Sequence, residues 1–192
     1  MRWNIPNILT GLRIGLIPVF VLVFYLPFRW SNEVSTLLFA LAAVTDWFDG
    51  YLARRLGEMT RFGAFLDPVA DKLIVAAALV MLVQADPGAW LVIPAIIIIS
   101  REIAISALRE WMAEIGERAQ VAVSNIGKFK TTTQMVALLL MLYRDPIAGL
   151  PIYTLGLILL YIAAALTVWS ALIYLRAAWP ALSAEESGPD DA

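Results

Sequence analysis

Four aspartates stand close together in a chain that is otherwise mostly apolar: Asp46, Asp49, Asp67 and Asp71, in the stretch DWFDGYLARRLGEMTRFGAFLDPVADK that ends at Lys72. The first pair is spaced i,i+3 and the second i,i+4, so each pair projects from one face of a helix. Two such faces offer four carboxylates to one place. At about 100° per residue, Asp46, Asp49, Gly50, Ala53 and Arg54 share one stripe of the first helix. Gly50 and Ala53 are its smallest members and leave a groove where a ligand can approach the backbone. Four acids converging where water is scarce repel one another unless a cation lies between them. Oxygen-only ligation selects Mg²⁺, Mn²⁺ or Ca²⁺ over zinc, and four carboxylates suit a two-metal site of the kind that works on phosphoryl groups. Arg54, one turn beyond the acids, is placed to hold a phosphate oxygen. For Asp67 alone a plainer reading stays open: with Pro68 behind it, Asp67 can be a helix N-cap followed by proline at the first helical position.

The elements that must carry these acids are membrane helices. Of 192 residues, 61% are hydrophobic and 16% charged, against a usual charged share of about 25%, and the mean hydropathy is +0.78. The composition describes an all-α integral membrane protein, a single helix bundle and not a soluble domain with an anchor. There is no cysteine and no histidine. That excludes disulfides, thiolate chemistry, the usual zinc sites and histidine bases, so acid–base work falls to a carboxylate, a lysine or a tyrosine. The first apolar run lacks a cleavage-like site and carries Arg13, so it reads as a retained helix.

Along the chain, MRWNIPN is a short amphipathic lead-in with Trp3 as interface anchor. Helix one is expected from about Ile8 to Leu26, with Gly11 and Gly15 as a close-packing seam. Within it, Arg13 either snorkels to headgroups or faces the bundle interior to meet a phosphate. Helix two starts near Glu33 or Val34. At 1.5 Å per residue it carries Asp46 roughly 18 Å into a hydrocarbon layer of about 30 Å, beyond the midplane. Helix three is expected from Gly63 or Pro68 to Gln84, helix four from Trp90 to Glu114, helix five from Thr131 to Tyr143 and helix six from Ile152 to Leu175. The segment 181–192, rich in Glu, Asp, Gly and Pro, reads as a disordered tail behind a membrane domain of residues 1–180. One side of this arrangement gathers Arg2, Arg54, Arg55, Arg61, Arg118, Lys128, Lys130 and Arg176, while the other keeps Arg29 and Arg144. The positive-inside rule then gives six transmembrane helices with both termini cytoplasmic and the aspartates in the cytoplasmic half.

The array Asp46-x2-Asp49-Gly50-x2-Ala53-Arg54-x8-Gly63-x3-Asp67-x3-Asp71 resembles the complete signature of the CDP-alcohol phosphatidyltransferase family, with all eight fixed positions filled. NIPNILTGLR, REIAISALREWMA and IGKFKTTTQ resemble the bacterial phosphatidylglycerophosphate synthases within that family, and the likeness spans most of residues 1 to 180. The resemblance implies transfer of a phosphatidyl group from CDP-diacylglycerol to sn-glycerol 3-phosphate, with release of CMP, in phosphatidylglycerol and cardiolipin synthesis at the bacterial inner membrane. Carried over by position, it makes Asp46, Asp49 and Asp67 ligands of two Mg²⁺ or Mn²⁺ ions, with Asp71 as general base and candidate ligand of the second ion. Asp46, Asp49, Gly50 and Arg54 would hold the cytidine-diphosphate head. Thr60 lies in the loop where relatives use a small hydroxyl residue for that ligand; it reads equally as an ordinary loop or capping threonine.

The acceptor is inferred from cations that the signature does not claim: Arg13, Arg101, Arg109, Lys128 and Lys130. Arg101 and Arg109 share a helix face, and within helix four the charges do not form i,i+4 ion pairs. Such a cluster suits a phosphate dianion, although the positive-inside rule alone accounts for Lys128 and Lys130. A phosphate-bearing acceptor favours glycerol 3-phosphate over serine; inositol phosphate satisfies the same charge, and whole-chain similarity decides between them. Two other classes remain. A divalent-cation transporter also places aspartates in membranes, but no inverted repeat is visible; a membrane prenyltransferase would show a tighter aspartate-rich motif. The tryptophans read as interfacial anchors and not as base-stacking platforms, so no nucleic-acid partner is expected. Small-residue seams and the habit of the family point to a homodimer.

Overall fold

The computed structural model describes residues 5–56, 61–114 and 125–186. These residues form six helices: α1 (Ile5–Tyr25), α2 (Ser31–Leu56), α3 (Arg61–Ala85), α4 (Ala89–Glu114), α5 (Asn125–Tyr143) and α6 (Ile152–Glu186), with no strand among them. Proline and glycine set most of the boundaries. α1 stops ahead of Pro27, and α3 gives way to α4 at Asp86-Pro87-Gly88, because proline lacks the amide that a continuing helix needs. Between α5 and α6 the chain turns through positive φ at Arg144, Ala148 and Gly149.

Three boundaries differ from the sequence reading. α3 already begins at Arg61, which puts Asp67 and Pro68 inside the helix; Asp67 is therefore not its N-cap. α5 starts at Asn125, ahead of the expected Thr131, so Lys128 and Lys130 belong to its first turns. Gly127 reads as a breaker in sequence, yet a single glycine is tolerated where the rest of the turn is satisfied. α6 continues to Glu186, through six residues expected to be tail; Ala, Leu, Ser and Glu offer no barrier to helix there.

Ile8–Tyr25, Ala89–Glu114 and Ile152–Trp179 are long and apolar enough to cross a membrane on their own. Large apolar side chains such as Leu22, Val80, Ile96, Ile103 and Trp169 point outward from the bundle, far more than a water-facing surface carries. Both features fit a membrane protein. Its core is built from Phe20, Phe39, Leu79, Leu82, Leu91, Ile98, Leu138, Met141, Leu142 and Leu160. α5 packs most extensively on α6, α1 on α2 and α3, and α4 on α6 and α3. The α5–α6 approach depends on Gly156, where a Cβ would sit 2.6 Å from Met141 Cγ and 2.9 Å from the Ala137 carbonyl oxygen. Gly11 and Gly15, expected as a packing seam, meet no other element among the described residues: a Cβ at either would find none of their atoms within 4 Å.

Candidate active site

α1, α2 and α3 converge on the aspartates. Thr10 and Arg13, three residues apart on α1, share the face turned into the bundle. Thr10 Oγ1 donates to Asp67 Oδ1 at 2.5 Å, and Arg13 Nη1 donates to Asp46 Oδ1 at 2.6 Å. Arg13 is only 2% exposed, so it faces the interior and does not snorkel. A guanidinium buried to this degree requires an anion beside it, and Asp46 supplies one. Asp46 and Asp67 are near enough to repel each other, and Asp71 feels the charges of Asp46, Glu102, Arg13 and Lys72.

A second polar cluster adjoins the first. Glu102 of α4 receives Arg101 Nη1 at 3.2 Å and Lys130 Nζ at 2.5 Å. Arg101 Nη2 also donates to Ser170 Oγ of α6 at 2.8 Å. Lys72 Nζ bonds Ser106 Oγ, which in turn donates to the Glu102 carbonyl at 2.7 Å. A turn or two further along α4, Arg109 Nη2 donates to Tyr174 Oη at 2.5 Å, and the guanidinium lies 4.6 Å from that ring's centroid. Between α3, α4 and α5 a cavity of about 50 Å³ is lined by Asp71, Lys72, Val75, Glu102, Thr131, Gln134 and Met135. On the other side of α4 a groove of about 660 Å³ runs against α6, walled by Ile97, Leu108, Trp111, Val168 and Leu172 and bordered by Arg101.

The structure thus brings Asp46, Asp67 and Asp71 to one end of the bundle. It separates the cations expected to hold an acceptor phosphate: Arg13 sits with the aspartates, Arg101 and Lys130 meet at Glu102, and Arg109 rests on Tyr174. Asp49, Gly50 and Arg54 lie in α2 and Lys128 in α5, with side chains outside the described residues, and Thr60 lies outside them altogether. Thr10, Glu102, Gln134 and Tyr174 escaped the sequence reading. Glu102 carried a faint signal, as a membrane-helix acid with no partner one turn away.

Among the described residues no three acids form a ready coordination sphere, and the fourth aspartate side chain is not among them. The donor chemistry still fits a hard divalent ion: carboxylate and hydroxyl oxygens, two carboxylates in mutual electrostatic reach, and no histidine or cysteine in the chain to favour a softer metal.

Known proteins resemble this chain over most of its length. A protein of Salmonella typhimurium named CDP-diacylglycerol--glycerol-3-phosphate 3-phosphatidyltransferase is 57% identical over 178 residues, covering 93% of this chain and 96% of that protein. Proteins of the same name from Shigella flexneri and Escherichia coli K12 match to the same extent. The family profile described as CDP-alcohol phosphatidyltransferase matches residues 3–169. This chain belongs to the CDP-alcohol phosphatidyltransferase family.

Proposed function

We propose that the protein transfers a phosphatidyl group from CDP-diacylglycerol to sn-glycerol 3-phosphate, releasing CMP and forming phosphatidylglycerophosphate. The observation that carries the reading is the convergence of Asp46, Asp67 and Asp71, braced by Arg13 and Thr10, in a chain 57% identical to proteins named for that reaction. The acceptor hydroxyl oxygen forms a bond to the lipid-bearing phosphorus while the bond from that phosphorus to the bridging oxygen breaks. CMP leaves with the electron pair, and the hydroxyl proton passes to Asp71.

Family members use divalent metal ions. Asp46, Asp49, Asp67 and Asp71 would hold two, Mg²⁺ or Mn²⁺, and such ions neutralise a pyrophosphate and the charge that grows on its leaving group. Gly50, Arg54 and Thr60 bind the nucleotide head beside Asp46 and Asp49. Arg13 orients Asp46, and Thr10 orients Asp67, so that two carboxylates with freely rotating ends are held toward one another. Arg101, Arg109, Lys128 and Lys130, with Arg13 on the aspartate side, supply positive charge for the acceptor phosphate. Glu102 fixes two of these cations, which keeps them from collapsing onto Asp71.

Six membrane spans with both ends in the cytoplasm put this end of the bundle near the inner-leaflet headgroups of the bacterial inner membrane. There a lipid-anchored nucleotide and a soluble phosphorylated alcohol can meet. The enzyme works as a homodimer. Purified protein should release CMP only when CDP-diacylglycerol, metal and glycerol 3-phosphate are all supplied. Equal release with serine or free inositol, and none with glycerol 3-phosphate, would overturn the acceptor assignment.

A further inference from the structure

The cavity between α3, α4 and α5 holds a side chain that the reaction as described does not use. Gln134 is 5% exposed and lines that cavity, yet its Oε1 has no hydrogen-bond partner among the described residues. Buried amide oxygens are almost always paired, and one left unpaired beside a cavity is waiting for a donor. Gln134 lies one helical turn beyond Lys130, on the same face of α5. The Lys130–Glu102 ion pair at 2.5 Å pins that face against α4, so the amide is held toward the space it shares with Asp71. At about 50 Å³ the cavity is on the scale of one or two hydroxyl-bearing carbons.

We propose that Gln134 determines acceptor specificity by accepting a hydrogen bond from the hydroxyl adjacent to the one that attacks, so that the enzyme reads a vicinal diol and not simply a primary alcohol bearing a phosphate. The proposal rests on the phosphatidyl-transfer reading above. Chemistry on the cavity wall divides the work. Asp71 is the acceptor for the attacking hydroxyl, Gln134 Oε1 for its neighbour, and the cations around Glu102 serve the phosphate further along. An acceptor lacking the second hydroxyl leaves Oε1 as it stands now, buried and without a donor among the described residues, and sites built around such a polar atom discriminate against the shortened molecule.

The test compares sn-glycerol 3-phosphate with 3-hydroxypropyl phosphate, which lacks only the middle hydroxyl, by CMP release from the full-length protein with CDP-diacylglycerol and Mg²⁺. The native enzyme should prefer glycerol 3-phosphate in kcat/KM by roughly 10- to 100-fold. Gln134→Leu and the near-isosteric Gln134→Met should bring that ratio to within about threefold of one, through loss on glycerol 3-phosphate alone. Having two apolar variants guards against one that does not fold, and thermal unfolding in detergent identifies which are native. Equal use of both acceptors by the native enzyme overturns the assignment, as does a full preference retained in a folded apolar variant. No CMP from either acceptor would refute the reaction itself; normal turnover of glycerol 3-phosphate, with a ratio indifferent to residue 134, refutes only the role of Gln134.

Discussion

The two ends of the bundle are held together by different physics. At the aspartate end, helices are joined by polar contacts that each cross from one helix to another: Arg13 to Asp46, Thr10 to Asp67, Lys130 to Glu102, Arg101 to Ser170 and Arg109 to Tyr174. In the remainder the joints are apolar, with Leu79, Leu82, Leu138, Met141, Leu142 and Leu160 fully buried and α6 drawn onto α5 at Gly156. There a long-range polar bond runs from Tyr153 Oη to Asp86 Oδ2, at 2.7 Å. Apolar packing is non-directional and tolerates no void, so it supplies a rigid frame. Ion pairs taken from water contribute little net stability, but they fix where each charge points. On the function proposed above, rigidity and chemistry are drawn from separate parts of the molecule, and substitutions should separate them.

The largest effect is expected at Asp71, the proposed base. Asp71→Asn keeps shape and removes the proposed proton acceptor, so CMP release should fall by roughly 10²- to 10⁴-fold. Thermal stability in detergent and binding of CDP-diacylglycerol should stay close to native. A variant that turns over at near-native rate would remove Asp71 from the mechanism, and one that unfolds would show that the polar end carries more of the stability than its contacts suggest.

The opposite outcome is expected from the apolar half. Leu138 is fully buried, and Leu138→Ala should destabilise the fold by about 2–5 kcal/mol, the sum of lost burial and the cavity left behind. Activity per folded molecule, measured well below the unfolding temperature, should change less than threefold. If kcat falls with stability, the frame and the site are coupled and the division between the two ends fails.

Glu102 lies between these extremes. Glu102→Gln leaves Lys130, which is almost fully buried, opposite a neutral amide. Stability should drop by about 1–3 kcal/mol, the usual penalty for a buried polar group that loses its charged partner. Adding Lys130→Gln should restore most of that stability while leaving the KM for glycerol 3-phosphate raised. A double variant that recovers both would make the pair purely structural.

Much of this was legible in the chain. Aspartate spacing and the sequence signature singled out the acids, and Pro27 and Pro87 marked the ends of apolar runs. What escaped notice depended on contacts between helices. Thr10 on an apolar face looks like any small residue until Asp67, 57 positions away, is set against it. The partner of Glu102 lies 28 positions on, in α5, where a search for pairs one turn apart on α4 does not reach. The start of α5 was missed because Gly127 reads as punctuation, whereas a single glycine only weakens a helix and does not end it. Gln134 carried no signal at all, since nothing in a sequence distinguishes a satisfied amide from an unsatisfied one.

The smallest effect expected is also the one that best locates the boundary of the site. Tyr174→Phe deletes the hydroxyl that accepts from Arg109 at 2.5 Å and keeps the ring 4.6 Å beneath the guanidinium. A single hydrogen bond of this kind is worth about 0.5–1.5 kcal/mol, so Arg109 should stay near its place but lose its fixed direction. If it serves the acceptor phosphate, the KM for glycerol 3-phosphate should rise about two- to tenfold with kcat, thermal stability and the KM for CDP-diacylglycerol unchanged. Tyr174→Leu, which removes the cation–π contact as well, should add about another 0.5–1 kcal/mol in the same parameter and in no other. A rise in the KM for CDP-diacylglycerol instead would assign Arg109 to the lipid bordering the α4–α6 groove, and the acceptor pocket would then end at Arg101.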